Sequence, residues 1–153
     1  MSIRIEQCVV LNILKHFRNT HSSFNNQTHC GGRMYGVVND ESIVEVTGST
    51  PKSGEGKLKI TKDVVGQNCY CVGMYVCGGS KDLTEQQLEY LSKVKENIGS
   101  SFVIYINPTE SLKRNSLVME GYILENESTK ELKSVNVVLY TSSLQKNFIA
   151  QME

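Results

Sequence analysis

Eight residues of this 153-residue chain carry the soft or basic side chains that hold metals or attack bonds: Cys8, Cys30, Cys69, Cys71, Cys77, His16, His21 and His29. Three of the cysteines fall close together, but their C-x-C-x5-C spacing lacks the C-x2-C pairs of a zinc knuckle. Cys69 and Cys71 are alternate residues of an apolar run, so they face one way on a strand. The cysteines number five, which is odd, and they read as reduced thiols packed as small hydrophobes inside a cell. His16 lies near the end of a helical pattern, where its charge suits the C-terminal dipole or solvent. His21 belongs to a polar loop, and His29 lies at the end of that loop.

The elements that would position these groups follow from periodicity. Residues 3–6 form a short edge strand. Over residues 8–18 the apolar positions Val9, Val10, Ile13, Leu14 and Phe17 make one face of an amphipathic helix. A loop covers 19–27. Two β-branched strands, 33–38 and 42–47, flank a hairpin connection at Asn39-Asp40-Glu41. Residues 49–56 form a loop, and 58–65 a short helix. A buried strand spans 69–76, followed by a turn at Gly78-Gly79-Ser80. Thr84-Glu85-Gln86-Gln87 fits a capping box, with Leu88, Leu91 and Val94 as the buried stripe of the helix behind it. A continuously apolar strand, 102–106, stops at Asn107-Pro108. Two more strands cover 117–124 and 135–140, and residues 144–152 begin a helix. No internal repeat or linker interrupts the chain, so one α+β domain is expected.

Bulk properties exclude several classes. Sixteen basic and sixteen acidic residues cancel, which leaves no electrostatic footprint for nucleic acid or an anionic membrane. No apolar run approaches the roughly 20 residues that span a bilayer. Residues 1–6 lack a signal-peptide core. A cytoplasmic protein is the expectation.

Five segments in order carry a family resemblance. They are Val9-Val10-Leu11-Asn12-Ile13-Leu14-Lys15-His16-Phe17, Met34-Tyr35-Gly36, Val72-Gly73-Met74-Tyr75, the strand from Phe102 to Pro108, and Leu117-Val118-Met119-Glu120-Gly121-Tyr122. Together they resemble the MPN (JAMM) domain, whose signature strand reads V-G-W-Y/F and whose later strand ends in Asp-Pro. Here Met74 replaces the tryptophan and Asn107 the acid. The resemblance implies an α+β fold: an MPN-type mixed β-sheet, partly closed and flanked by helices. It forms a single domain over 1–153, with 141–153 the start of a C-terminal helical extension.

Active members of that family are zinc isopeptidases. They place H-x-H-P after the signature strand and an aspartate on the next helix, so that two imidazoles and a carboxylate hold a zinc-bound water. Carried onto this chain, the histidine positions fall on Val76 and Gly78, the proline on Gly79 and the aspartate on Glu89. The general-base glutamate falls near His29. Valine and glycine side chains donate no electrons to a metal, so the resemblance implies a pseudoenzyme with no catalytic residues, no metal and no cofactor.

Inactive members serve as assembly subunits in the proteasome lid, the COP9 signalosome and eukaryotic translation initiation factor 3. Gly79-Ser80-Lys81-Asp82-Leu83-Thr84-Glu85 and Ser42-Ile43-Val44-Glu45-Val46-Thr47 are similar to the f subunit of that factor, and the opening helix is closer to its h subunit. The expectation is a non-catalytic scaffold of a translation initiation complex. Its partners are other MPN-domain and helical-scaffold subunits, with the small ribosomal subunit reached indirectly. No membrane and no direct nucleic acid are expected, and the isolated domain is expected to self-associate. The alternatives are a lid or signalosome subunit and, in another class, a zinc isopeptidase with an unorthodox site. The candidate partner faces are Asn12, Lys15 and Arg18 on the first helix and Gln86, Glu89, Tyr90 and Lys93 on the second.

Overall fold

The computed structural model describes residues 2–20, 29–39, 43–51, 70–79, 83–126, 128 and 131–141. Strand β1 (Ser2–Glu6) alternates, with Ile3 and Ile5 fully buried between more exposed polar neighbours. Helix α1 (Gln7–Thr20) begins at the next residue and buries Val9, Val10, Ile13 and Phe17 along one stripe. Asn19 and Thr20 therefore close the helix rather than open the loop expected there.

Strands β2 (His29–Val38) and β3 (Ile43–Pro51) form the anticipated antiparallel hairpin, with Val38 opposite Val44. Its turn is tied at both ends. The Asn39 amide donates to the Ile43 carbonyl at 3.0 Å, and the Ile43 amide donates to Asn39 Oδ1 at 3.1 Å. Residues 49–51, expected in a loop, continue β3 because Ser49, Thr50 and Pro51 pair with Met34, Arg33 and Gly32. The helices expected over 58–65 and 144–152 lie outside the described residues.

Strand β4 (Tyr70–Gly78) runs between β2 and β5 (Phe102–Ile106), antiparallel to the first and parallel to the second. Helix α2 (Glu85–Ile98) makes the parallel crossover. Its capping box is formed: the Gln87 amide donates to Thr84 Oγ1 at 3.2 Å, and the Thr84 amide donates to Gln87 Oε1 at 2.8 Å. After β5 comes α3 (Pro108–Arg114), a helix not expected from the sequence. Strands β6 (Met119–Asn126) and β7 (Glu131–Tyr140) complete the described chain.

The strands follow the order β1-β3-β2-β4-β5-β6-β7, and β7 pairs back onto β1. The described residues thus form a closed seven-stranded barrel with three helices. This overturns the expected MPN-type, partly closed sheet flanked by helices. The reason lies in β1. It is not an edge strand, because it pairs in parallel with β3 on one flank and with β7 on the other. Among the described strands, closure leaves no edge without a partner strand.

Two apolar clusters sit on opposite faces of the barrel wall. The inner one gathers residues from every strand, among them Ile5, Met34, Val46, Tyr75 and Ile104, together with the buried stripe of α1. The outer one lies under α2, where Tyr90, Leu91 and Val94 meet Met74, Val76, Val103 and Tyr105. A bulge in β4 sets which residue goes where. Met34 pairs with Gly73 but Tyr35 with Cys71, so Val72 is the extra residue and the alternation shifts there. Beyond it Tyr75 and Cys77 face inward, while Met74 and Val76 face α2. Among the described residues no helix is long and apolar enough to cross a membrane.

Candidate functional site

The structure brings three of the four degenerate site positions onto adjacent strands. His29 stands opposite Gly78 and Gly31 opposite Val76 in the β2–β4 register. Val76 and Gly78 share the outer face of β4, two residues apart. Glu89 is not part of this grouping, because α2 holds it on its exposed side.

The space beside Val76 is filled by protein. In the parallel β4–β5 register Val76 is paired with Tyr105, and both are nearly buried in the cluster under α2. The Tyr105 hydroxyl donates to the Gly78 carbonyl at 2.8 Å. A phenol thus ties down the backbone at the point where the family resemblance places a histidine. The sequence marks Tyr105 only as one letter of an apolar strand. Among the described residues, no group of three or more His, Cys, Asp or Glu side chains is arranged to hold a metal.

Other chemically capable residues are committed to structure. His16 is half-buried rather than solvent-facing; its Nδ1 shares a 2.9 Å hydrogen bond with the Tyr75 hydroxyl, and the rings meet edge-on. Burial, reinforced by the Cys30 and Cys77 sulfurs, pushes the Tyr75 phenol well above its ordinary range. Tyr90, expected on the open side of its helix, is buried and shares a 2.9 Å hydrogen bond with Cys71 Sγ. Helix phase explains the correction: Tyr90 adjoins Leu91 and Val94 on the stripe that α2 lays on the sheet. Its phenol too is raised, mainly by burial.

Of the proposed contact residues, Asn12, Lys15, Arg18, Gln86, Glu89 and Lys93 are exposed. Arg18 is further distinguished because it borders a groove. This groove, about 400 Å³ in volume, lies between the end of α1 (Leu14, Phe17, Arg18) and α3 with the chain after it (Pro108, Leu112, Leu117). Two of its lining residues leave apolar surface in water: Leu112 is 68% exposed and Leu117 38%. One basic group, Arg18, belongs to the lining. On α3 itself Lys113 and Arg114 both reach Glu110, at 3.7 and 3.4 Å.

Sequence reasoning missed the groove because it missed α3. The signal was present. Asn107 caps the helix, its Oδ1 accepting from the Glu110 amide at 2.9 Å, and Pro108 occupies the first helical position, where its missing N–H costs nothing. The same Asn-Pro pair also ends a strand, and that role alone stands out in the sequence.

No protein-family model matches the chain, and comparison with curated proteins finds no match.

Proposed function

We propose that this protein is a non-catalytic scaffold subunit of a cytoplasmic translation initiation assembly, working through protein–protein contacts. The observation that carries the reading is the α1–α3 groove. Leu112 and Leu117 expose apolar surface beside Leu14 and Phe17, and Arg18 stands at the margin. Exposed apolar surface rimmed by charge is the usual mark of a contact site. The Arg18 guanidinium beside this apolar lining favours an occupant of matching chemistry: an amphipathic helix of a partner subunit, with apolar anchors and an acidic residue facing Arg18.

A second line supports the non-catalytic half of the reading. Where the resemblance places two zinc-binding imidazoles there stand Val76, packed beneath α2, and Gly78, whose carbonyl is taken by Tyr105. The initiation-factor half is supported by the sequence resemblance over residues 72–85 and 42–47.

Affinity purification tests both halves. The parent protein should recover initiation-factor subunits together with small ribosomal subunits. A Leu112→Asp, Leu117→Asp double variant, changed only at exposed positions, should fold normally and lose them by tenfold or more, on the order expected for hot-spot anchors. Recovery of proteasome-lid ATPases instead overturns the assignment to initiation. Chelator-sensitive cleavage of ubiquitin chains by the purified protein overturns the scaffold reading altogether.

A further inference from the structure

Cys30 and Cys77 stand directly opposite one another in the antiparallel β2–β4 register, and both side chains turn into the inner cluster. Directly opposed antiparallel residues hold their Cα atoms about 4.5–5.5 Å apart, and a disulfide needs Cα atoms about 4.4–6.8 Å apart. Both thiols are free. Exposure separates the two: Cys30 retains 9% and Cys77 none. Cys30 is the second residue of β2 and Cys77 the last but one of β4, so the pair lies at one end of the barrel wall.

The remaining described cysteines are turned elsewhere. Cys71 lies on the outer face under α2, hydrogen-bonded with Tyr90. Cys8, on α1, donates to the Glu6 carboxylate.

We propose that Cys30 and Cys77 form a redox-responsive dithiol, a modification site that takes hydrogen peroxide and closes to a disulfide across β2 and β4. In the first step the Cys30 thiolate attacks one peroxide oxygen. An S–O bond forms and the O–O bond breaks. The departing hydroxide takes up the proton the thiol gave up and leaves as water, so that sulfur loses two electrons and the peroxide gains them. In the second step the Cys77 sulfur attacks the Cys30 sulfenic acid. An S–S bond forms, the S–O bond breaks, and the Cys77 proton leaves with the hydroxide as a second water. Hydrogen bonding between the two sulfurs holds the Cys30 thiol below its ordinary range, and the same interaction with burial holds Cys77 above its own. Attack by Cys30 and resolution by Cys77 match the order in which solvent reaches them. This chemistry stands apart from the scaffold role and does not depend on the α1–α3 groove.

Peptide mapping of the reduced full chain after one equivalent of hydrogen peroxide is the test. The expected product has lost about 2 Da, the two thiol hydrogens of a disulfide, and its digest contains the peptide joining Cys30 to Cys77. In Cys77→Ala the oxidation should stop at a Cys30 sulfenic acid that dimedone traps. In Cys30→Ala, Cys77 should stay unmodified. A parent digest without the Cys30–Cys77 peptide, or with a different cysteine joined to either, overturns the proposal even if neither variant folds. Equal dimedone labelling of Cys30 in parent and Cys77→Ala overturns the resolving role.

Discussion

Gly73 is the residue whose replacement this barrel should tolerate least, and the cost can be worked out from its surroundings. It pairs with Phe102 in the parallel β4–β5 register. A Cβ at Gly73 would stand 1.8 Å from the Phe102 carbonyl oxygen, 2.7 Å from its carbonyl carbon and 2.9 Å from its amide nitrogen. All three are backbone atoms, so no side chain can swing aside. Restoring even the 3.0 Å minimum of real Cβ contacts means parting the strands by about 1.2 Å in an interior packed as densely as a crystal. Overpacking of this kind costs about 1–3 kcal/mol, and each ladder hydrogen bond stretched out of range adds about 1 kcal/mol. Gly73→Ala should therefore cost about 3 kcal/mol, a large part of the roughly 5–15 kcal/mol that holds a domain together. With a urea slope of about 1–3 kcal/mol per molar, the unfolding midpoint should fall by about 1–3 M. Gly99→Ala is the control. Gly99 sits at the α2 C-cap with φ of 85°, and a methyl group added there would meet nothing within 4 Å. Only its left-handed backbone is strained, for about 1 kcal/mol, and the midpoint should fall by about 0.5 M. A Gly73→Ala midpoint within about 0.5 M of the parent, or a larger loss from Gly99→Ala than from Gly73→Ala, would refute the reasoning.

Two further outcomes rest on single side chains. Tyr105→Phe removes the hydroxyl that donates to the Gly78 carbonyl and should cost about 1–2 kcal/mol in urea titration; an unchanged midpoint would mean that this tie contributes nothing. Tyr140 is pushed up to about 12, first by burial and then by Glu6 and Glu45, with the Arg4 guanidinium 4.6 Å above its ring opposing them. A phenol raised on folding stabilises fully below its ordinary value of 10.0, and that contribution is lost as pH rises through the folded value. Urea midpoints measured from pH 9 to 12 should therefore fall less steeply for Tyr140→Phe than for the parent, and parallel curves would contradict the shift.

Local chemistry was legible in the sequence where short-range bonds decide the outcome. The capping box at Thr84 and Gln87 involves residues three apart, and the bonds between Asn39 and Ile43 across the β2–β3 turn join residues four apart. Partnerships between distant residues were not legible. Residues 3–6 carry the alternation of a strand with one buried face, and nothing in them specifies that β3 and β7 take both flanks. The same limit explains His16, whose neighbour is Tyr75 across the inner cluster, and Tyr90, whose neighbour is Cys71. The degenerate site shows both sides. Val76 and Gly78 announce in their own side chains that they cannot ligate, while the Tyr105 hydroxyl that secures the position comes from the next strand and depends on the β4–β5 register.

Closure of the barrel by β1 and β7 sets the timing of folding. Ser2 pairs with Asn136, so the ring joins residues some 134 positions apart. A ribosome adding about 5–20 residues per second takes roughly 7–27 s to bridge that interval. During it the flank of β1 that will meet β7 is an open strand edge, and Ile3 and Ile5 await part of their final cover. Such a long-range closing step makes for slow folding, and until β7 emerges the nascent chain is a sheet with a sticky seam. Its vulnerability to mispairing is thus concentrated in the interval before the last strand arrives.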